Sequence, residues 1–161
     1  MPVQYVGVGE FKVTKTAGDF LKAVALGSCV AVVFLDPVNR IVGLLHAALP
    51  DSSINRKRVI EKPGMFVDTG IPVLLNEMSK LGYKEDGKLI VKLAGGASIM
   101  DPNNTFNIGN RNILAVRKVL WSYKLGAVAE DLYGSISRTV TVDVTNGTVT
   151  ISSPGREEWR I

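Results

Sequence analysis

Residues 29–48 read CVAVVFLDPVNRIVGLLHAA. Two apolar runs rich in Val, Leu and Ile flank Asp36-Pro37. Proline presets φ for the second position of a turn, and aspartate suits the first. Apolar runs of this length around a turn signal predict a buried β-hairpin over residues 29–48. A two-residue turn centred between Pro37 and Val38 sets Leu35 opposite Arg40 and Cys29 opposite His46. Residues directly opposite each other hold their Cβ atoms about 4.5–5.5 Å apart on one face. Cys29 is the only cysteine of the chain and His46 its only histidine.

That pairing has a chemical consequence. A thiolate, not a thiol, is the attacking species, and a free thiol is mostly protonated at neutral pH. An imidazole beside it is expected to take the proton and hold the thiolate as an ion pair. Gly27 and Ser28 precede the cysteine and permit a tight bend. Backbone N–H groups at such a bend are suited to hold the oxyanion of an acyl intermediate, which makes Gly27 and Ser28 candidate substrate-binding residues. Cys29 and His46 are the candidate catalytic pair. The ordinary alternative is core filler, since cysteine is among the most buried residue types.

Outward from the hairpin, VQYVGV and FKVTK read as short strands, and KAVALGS as a strand leading into Cys29. The polar segment 51–65 reads as a solvated loop. It carries the basic cluster Arg56-Lys57-Arg58, a lip able to steer an acidic partner. Ile71, Leu74, Leu75, Met78 and Leu81 recur at helical spacing and predict a helix over 70–81, stopped by Gly82. KLIVKLAGGAS reads as a strand running into a glycine loop, Asn110 to Leu125 as a second helix, and GAVAEDL as a strand. RTVTVDVT, Asn146-Gly147 and TVTISS form a terminal hairpin. The tail 154–161 reads as loose. The sum is a single α/β (α+β) domain over residues 1–161: about nine strands in two packed mixed sheets built from hairpins, flanked by helices.

Composition narrows the function classes. Of the 161 residues, 46% are hydrophobic and 21% charged, a globular rather than disordered balance. The net charge of +4 comes without a long basic run, so nucleic acid is not an expected partner. No signal-peptide pattern opens the chain, and no apolar run is long enough to span a bilayer, so membrane insertion is not expected. One cysteine excludes an internal disulfide and multi-cysteine zinc sites, and fits a reducing, cytoplasmic setting. Thiol chemistry of this kind needs no metal or organic cofactor.

The stretch LGSCVAVVFLDPVNRIVGLLHAALPDS resembles the signature of the CheD family of bacterial chemoreceptor glutamine deamidases. KPGMFVDTG, KLAGGASIM, NIGNRN and AEDLYGSISRTV follow in the order of that family's other blocks, so the resemblance spans about residues 3–153. It implies a sheet-rich domain similar to glutamine-deamidating toxins. The implied activity is hydrolysis of chosen receptor glutamines to glutamate with release of ammonia. Cys29 falls on the family nucleophile and His46 on the family base. The implied partners are the receptor's cytoplasmic helical bundle and, in many bacteria, the CheC phosphatase. A threonine is usual six positions before the cysteine, where this chain has Ala23. Orienting a ring N–H needs only an acceptor, so a backbone carbonyl can stand in. Restoring threonine is nevertheless expected to raise turnover about tenfold. The alternative implied by Ala23 is a receptor- or CheC-binding module with weakened or lost catalysis.

Overall fold

In a computed structural model describing residues 2–85, 88–99, 103 and 105–161, the two runs of the hairpin pair as β4 (Val30–Asp36) and β5 (Ile41–Ala47). Every residue of both strands is buried. The turn is longer than the sequence suggests. The Asp36 carboxylate accepts from the backbone N–H groups of Val38 and Asn39 at 3.0 and 3.2 Å, and Arg40 takes a left-handed φ of +57°. Pro37 to Arg40 therefore form the loop, and Asp36 faces Ile41. This corrects the register: Ala31, not Cys29, lies opposite His46, and Cys29 sits just ahead of β4. A two-residue shift preserves the side-chain period of a strand, so Ala31, opposite His46, has the same parity in the chain as Cys29.

Two five-stranded sheets form around this hairpin. One has the order β2 (Phe11–Thr14), β5, β4, β6 (Ile90–Gly95), β7 (Ala129–Leu132). The other runs β1 (Val3–Tyr5), β3 (Phe20–Leu26), β8 (Arg138–Asp143), β9 (Val149–Ser152), β10 (Trp159–Arg160). β1–β3 and β6–β7 are parallel and the remaining pairs antiparallel, so both sheets are mixed. Alternate residues of β4 feed two cores. Ala31, Val33 and Leu35 meet Leu21, Val140 and Ile151 of the facing sheet. Val32 and Phe34 meet Ile71, Leu74, Ile113 and Val116 of the helices. Burial on both faces explains why the strand is apolar throughout rather than alternating.

The segment 51–65 is ordered rather than a plain loop. It holds α1 (Arg56–Glu61) between two 3₁₀ turns, Ser52–Ile54 and Pro63–Met65. Asn55 caps α1 by accepting from Arg58 N–H at 3.1 Å. The first long helix, α2 (Val67–Lys80), begins three residues before the predicted start and holds Pro72 inside. A tertiary contact helps decide this: Val67 N–H donates to Leu49 O at 2.9 Å, while Gly70 N–H to Phe66 O at 2.8 Å is the helix's own first-turn bond. Gly70 lets α2 lie close on β5, since a Cβ there would come within 2.9 Å of Leu45. The second long helix is α3 (Ile108–Ser122).

The tail is not loose. β10 pairs with β9, Trp159 Nε1–H donates to the Asp131 carboxylate, and Lys92 Nζ donates to Ile161 O at 2.6 Å. The tail's half-buried Trp159 and its closing strand give it both an apolar anchor and a ladder, which a polar-looking sequence does not advertise. Met100, the last residue of the KLAGGASIM block, lies outside the described residues.

Candidate active site

Gly27-Ser28-Cys29 is the bend at which the chain leaves one sheet through β3 and joins the other through β4. A bulge in β3 aims it. The β3–β8 register shifts between Ala23 and Leu26, Ala25 takes φ +55°, and its N–H donates to Thr139 Oγ1 at 3.1 Å. The glycine loop after β6 then cradles the bend. Gly96 N–H donates to Cys29 O at 2.8 Å and Ala97 N–H to Gly27 O at 2.9 Å. Gly95 has φ +112°, and a Cβ there would lie 2.2 Å from Cys29 O. The KLAGGAS block thus fixes the cysteine's backbone from behind.

His46 is 2% exposed, and its Nδ1 lies 3.0 Å from Val6 O. A carbonyl only accepts, so Nδ1 carries the proton and Nε2 presents its lone pair. The loop around Val6 is itself pinned to the His46 backbone. Gly9 N–H donates to His46 O at 2.8 Å, and His46 N–H donates to Glu10 O at 3.0 Å. Ala23 is fully buried in β3, so the acceptor for the ring N–H comes from the main chain of Val6.

The electrostatics correct the expected ion pair. Burial pushes the Cys29 thiol up from its ordinary value, and a backbone hydrogen bond offsets only part of that. Burial pushes the His46 imidazole down, against the opposing pull of the Val6 hydrogen bond and the Glu10 charge. Both shifts favour neutral forms. His46 Nε2 is buried without a hydrogen-bond partner, so no hydrogen bond joins it to the sulfur at rest.

One positioning residue escaped the sequence reading. Asn112, fully buried on α3, donates from Nδ2 to Ser28 O at 2.8 Å and to Ala48 O at 3.0 Å. It ties the residue before Cys29 to the residue two beyond His46. Its signal was the NIGNRN block, whose last residue it is. Gly27 and Ser28 also line a pocket of about 300 Å³ with Ile99, Phe106, Ile108 and Gly109, beside the cysteine. Among the described residues, no group of three or more His, Cys, Asp or Glu is placed to hold a metal ion, and no helix is long and apolar enough to cross a membrane.

A family model described as "CheD chemotactic sensory transduction" matches residues 48–153. That span excludes Cys29 and His46, so full-length relatives carry the comparison across them. The chain is 49% identical over 157 residues to the probable chemoreceptor glutamine deamidase CheD of Syntrophotalea carbinolica, covering 97% of each chain. It is 43% identical over 150 residues to the probable chemoreceptor glutamine deamidase CheD 1 of Syntrophus aciditrophicus, covering 93% of each. To the chemoreceptor glutamine deamidase CheD of Thermotoga maritima it is 37% identical over 153 residues, covering 95% of this chain and 93% of the other. Identity at this level over nearly the whole chain shows that the chain belongs to the CheD family.

Proposed function

We propose that this protein hydrolyses glutamine side chains of chemoreceptors to glutamate, with Cys29 as nucleophile and His46 as base. The observation that carries the reading is the His46 tautomer. Nδ1–H is spent on Val6 O, which leaves Nε2 as the proton acceptor. In the free protein burial disfavours both the thiolate and the imidazolium. As the glutamine amide enters, Nε2 takes the thiol proton while Sγ attacks the amide carbon. Backbone N–H groups of the Gly27-Ser28-Cys29 bend hold the oxyanion. The imidazolium gives its proton to the departing ammonia, leaving a thioester. Nε2 then takes a proton from water, whose oxygen attacks the thioester carbon. Glutamate and the thiol are released as that proton returns to sulfur.

The absent family threonine does not weaken this reading, because an acceptor for Nδ1–H is already present at Val6. That supports turnover over a binding-only role. The same reading places the protein in the cytoplasm, with the receptor's cytoplasmic helical bundle as substrate and CheC as a second partner. The test is incubation with a cognate receptor cytoplasmic fragment, followed by peptide mass analysis. Gln-to-Glu conversion by the wild type and none by Cys29→Ala is the expected result. Tight binding without conversion by the wild type would establish the binding module instead.

A further inference from the structure

The turn that carries Val6 into β2 straddles His46. Glu10 N–H donates to Gly7 O at 2.9 Å, and Gly9 has φ +79°, the left-handed value taken at the third position of a type II turn. Gly9 N–H donates to His46 O, and His46 N–H donates to Glu10 O, so two residues stand opposite one. The pattern is a glycine bulge, one residue beyond the Phe11–Leu45 pair that ends the β2–β5 ladder. Bulges re-aim the side chain that follows them, and here that side chain is Glu10. Its Oε1 reaches back across the turn and accepts from Gly7 N–H at 2.7 Å. The fit is close, since a Cβ on Gly7 would lie 2.9 Å from the same oxygen.

The Gly7 N–H and the Val6 C=O belong to one planar peptide unit. Val6 O is the acceptor for His46 Nδ1–H. A bond that fixes the Gly7 N–H therefore fixes the direction of the Val6 carbonyl as well. A carboxylate on the N–H side also polarises the unit and makes its carbonyl a stronger acceptor. The hydrogen bonds run in one chain from the Glu10 carboxylate through the Val6–Gly7 peptide to the His46 ring. Lys12, Glu61 and Lys62 share a shallow groove with Glu10, and among the described residues no ion pair ties Glu10 to any of them. Lys62 Nζ donates instead to Val8 O at 3.3 Å. Burial lowers the His46 pKa, and the Glu10 charge is among the influences that oppose it.

We propose that Glu10 is a positioning residue for His46, acting through the Val6–Gly7 peptide. It holds and polarises that peptide, so the Val6 carbonyl keeps the proton on Nδ1 and supports the imidazolium that forms when Nε2 takes the thiol proton. This rests on the deamidase reading proposed above and adds a carboxylate behind its base, one peptide removed.

NMR reads the ring directly. His46 is the only histidine, so the imidazole nitrogen and proton signals belong to it alone. Glu10→Gln keeps an acceptor for Gly7 N–H and removes the charge, while Glu10→Ala removes both. Glu10 is exposed, and melting temperature checks that both variants stay folded. In Glu10→Gln the Nδ1–H tautomer should persist and the His46 pKa should fall, because a negative charge that favours the imidazolium is gone. In Glu10→Ala the Nε2–H tautomer should appear as well. With a cognate receptor cytoplasmic fragment, kcat should fall about threefold in Glu10→Gln and about tenfold in Glu10→Ala, with KM unchanged. The gap between wild type and Glu10→Gln should narrow at high salt. An unchanged tautomer in Glu10→Ala, with an unchanged His46 pKa in both variants, would overturn the proposal whatever happens to activity. A loss confined to KM would overturn it too. If the wild type converts no glutamine while the ring signals respond as expected, the deamidase reading fails and the positioning of His46 by Glu10 stands.

Discussion

His46 shows how a single hydrogen bond sets the role of a ring. With Nδ1–H held by Val6 O, the imidazole has one job left, to accept a proton at Nε2. In the Cys29 thiol, its proposed partner, burial disfavours the thiolate. The sign is simple: a raised thiol pKa lowers the thiolate fraction at any given pH and moves the alkylation curve to higher pH. Iodoacetamide should therefore modify Cys29 more slowly than an exposed cysteine at neutral pH, with the rate climbing above the free-thiol value of about 8.5. A rate at pH 7 matching or exceeding that of free cysteine would contradict the buried neutral pair. Ala23 makes a second test. The sequence argued for a gain from Ala23→Thr, but position 23 is fully buried between the sheets and the ring N–H already has its acceptor. Ala23→Thr should cost about 1–3 kcal/mol by overpacking and leave receptor deamidation no faster. Urea melts and ammonia release on the same preparation check both halves.

Elements place the site through hydrogen bonds to its backbone carbonyls. The loop after β6 reaches Cys29 only because Gly95 takes φ +112° with no Cβ to strike Cys29 O. Gly95→Ala should cost about 3 kcal/mol through strain and clash and displace Cys29, the proposed nucleophile, so deamidation should fall further than stability alone explains. Comparing activity well below the melting temperature separates the two effects. Asn112 performs the matching task from α3, bridging the carbonyls of Ser28 and Ala48. Asn112→Ala leaves two half-buried acceptors without this donor and should lose about 1–3 kcal/mol. Its deamidation loss should appear in kcat, because the relative placement of Cys29 and His46, not the mouth of the pocket, is what loosens. A change confined to KM would remove Asn112 from the positioning role. Neither residue could be assigned this work from its type alone. A glycine pair signals a bend and a helical asparagine signals little, and the carbonyls they serve lie 67 and 84 residues away in sequence, as Cys29 from Gly96 and Ser28 from Asn112.

At the scale of the molecule, the tail closes the sheet that faces the active-site hairpin. β10 extends the ladder from β9, and Trp159 meets the Asp131 carboxylate that also accepts from Arg138 Nε at 2.8 Å. A chain ending at Ser153 should lose about 2–3 kcal/mol, a fall of about 5–10 °C in Tm, readable by calorimetry. An unchanged melting temperature would return the tail to the loose segment its composition suggests. The sequence by itself determined the elements whose signals are local: a hairpin around Asp36-Pro37, two amphipathic helices, a second hairpin at Asn146-Gly147, and the parity that Cys29 shares with the residue opposite His46. Side-chain period survives an error of two residues, which is why the parity was legible although the partner of His46 was not. Only the tertiary structure decided the four-residue turn, the helical start at Val67, the strand made by the tail, and the Val6 and Asn112 contacts that orient the pair. Apart from the turn, which the Asp36 side chain closes locally, these depend on hydrogen bonds between separate segments of the chain, and local periodicity carries no information about which carbonyl or N–H will be opposite.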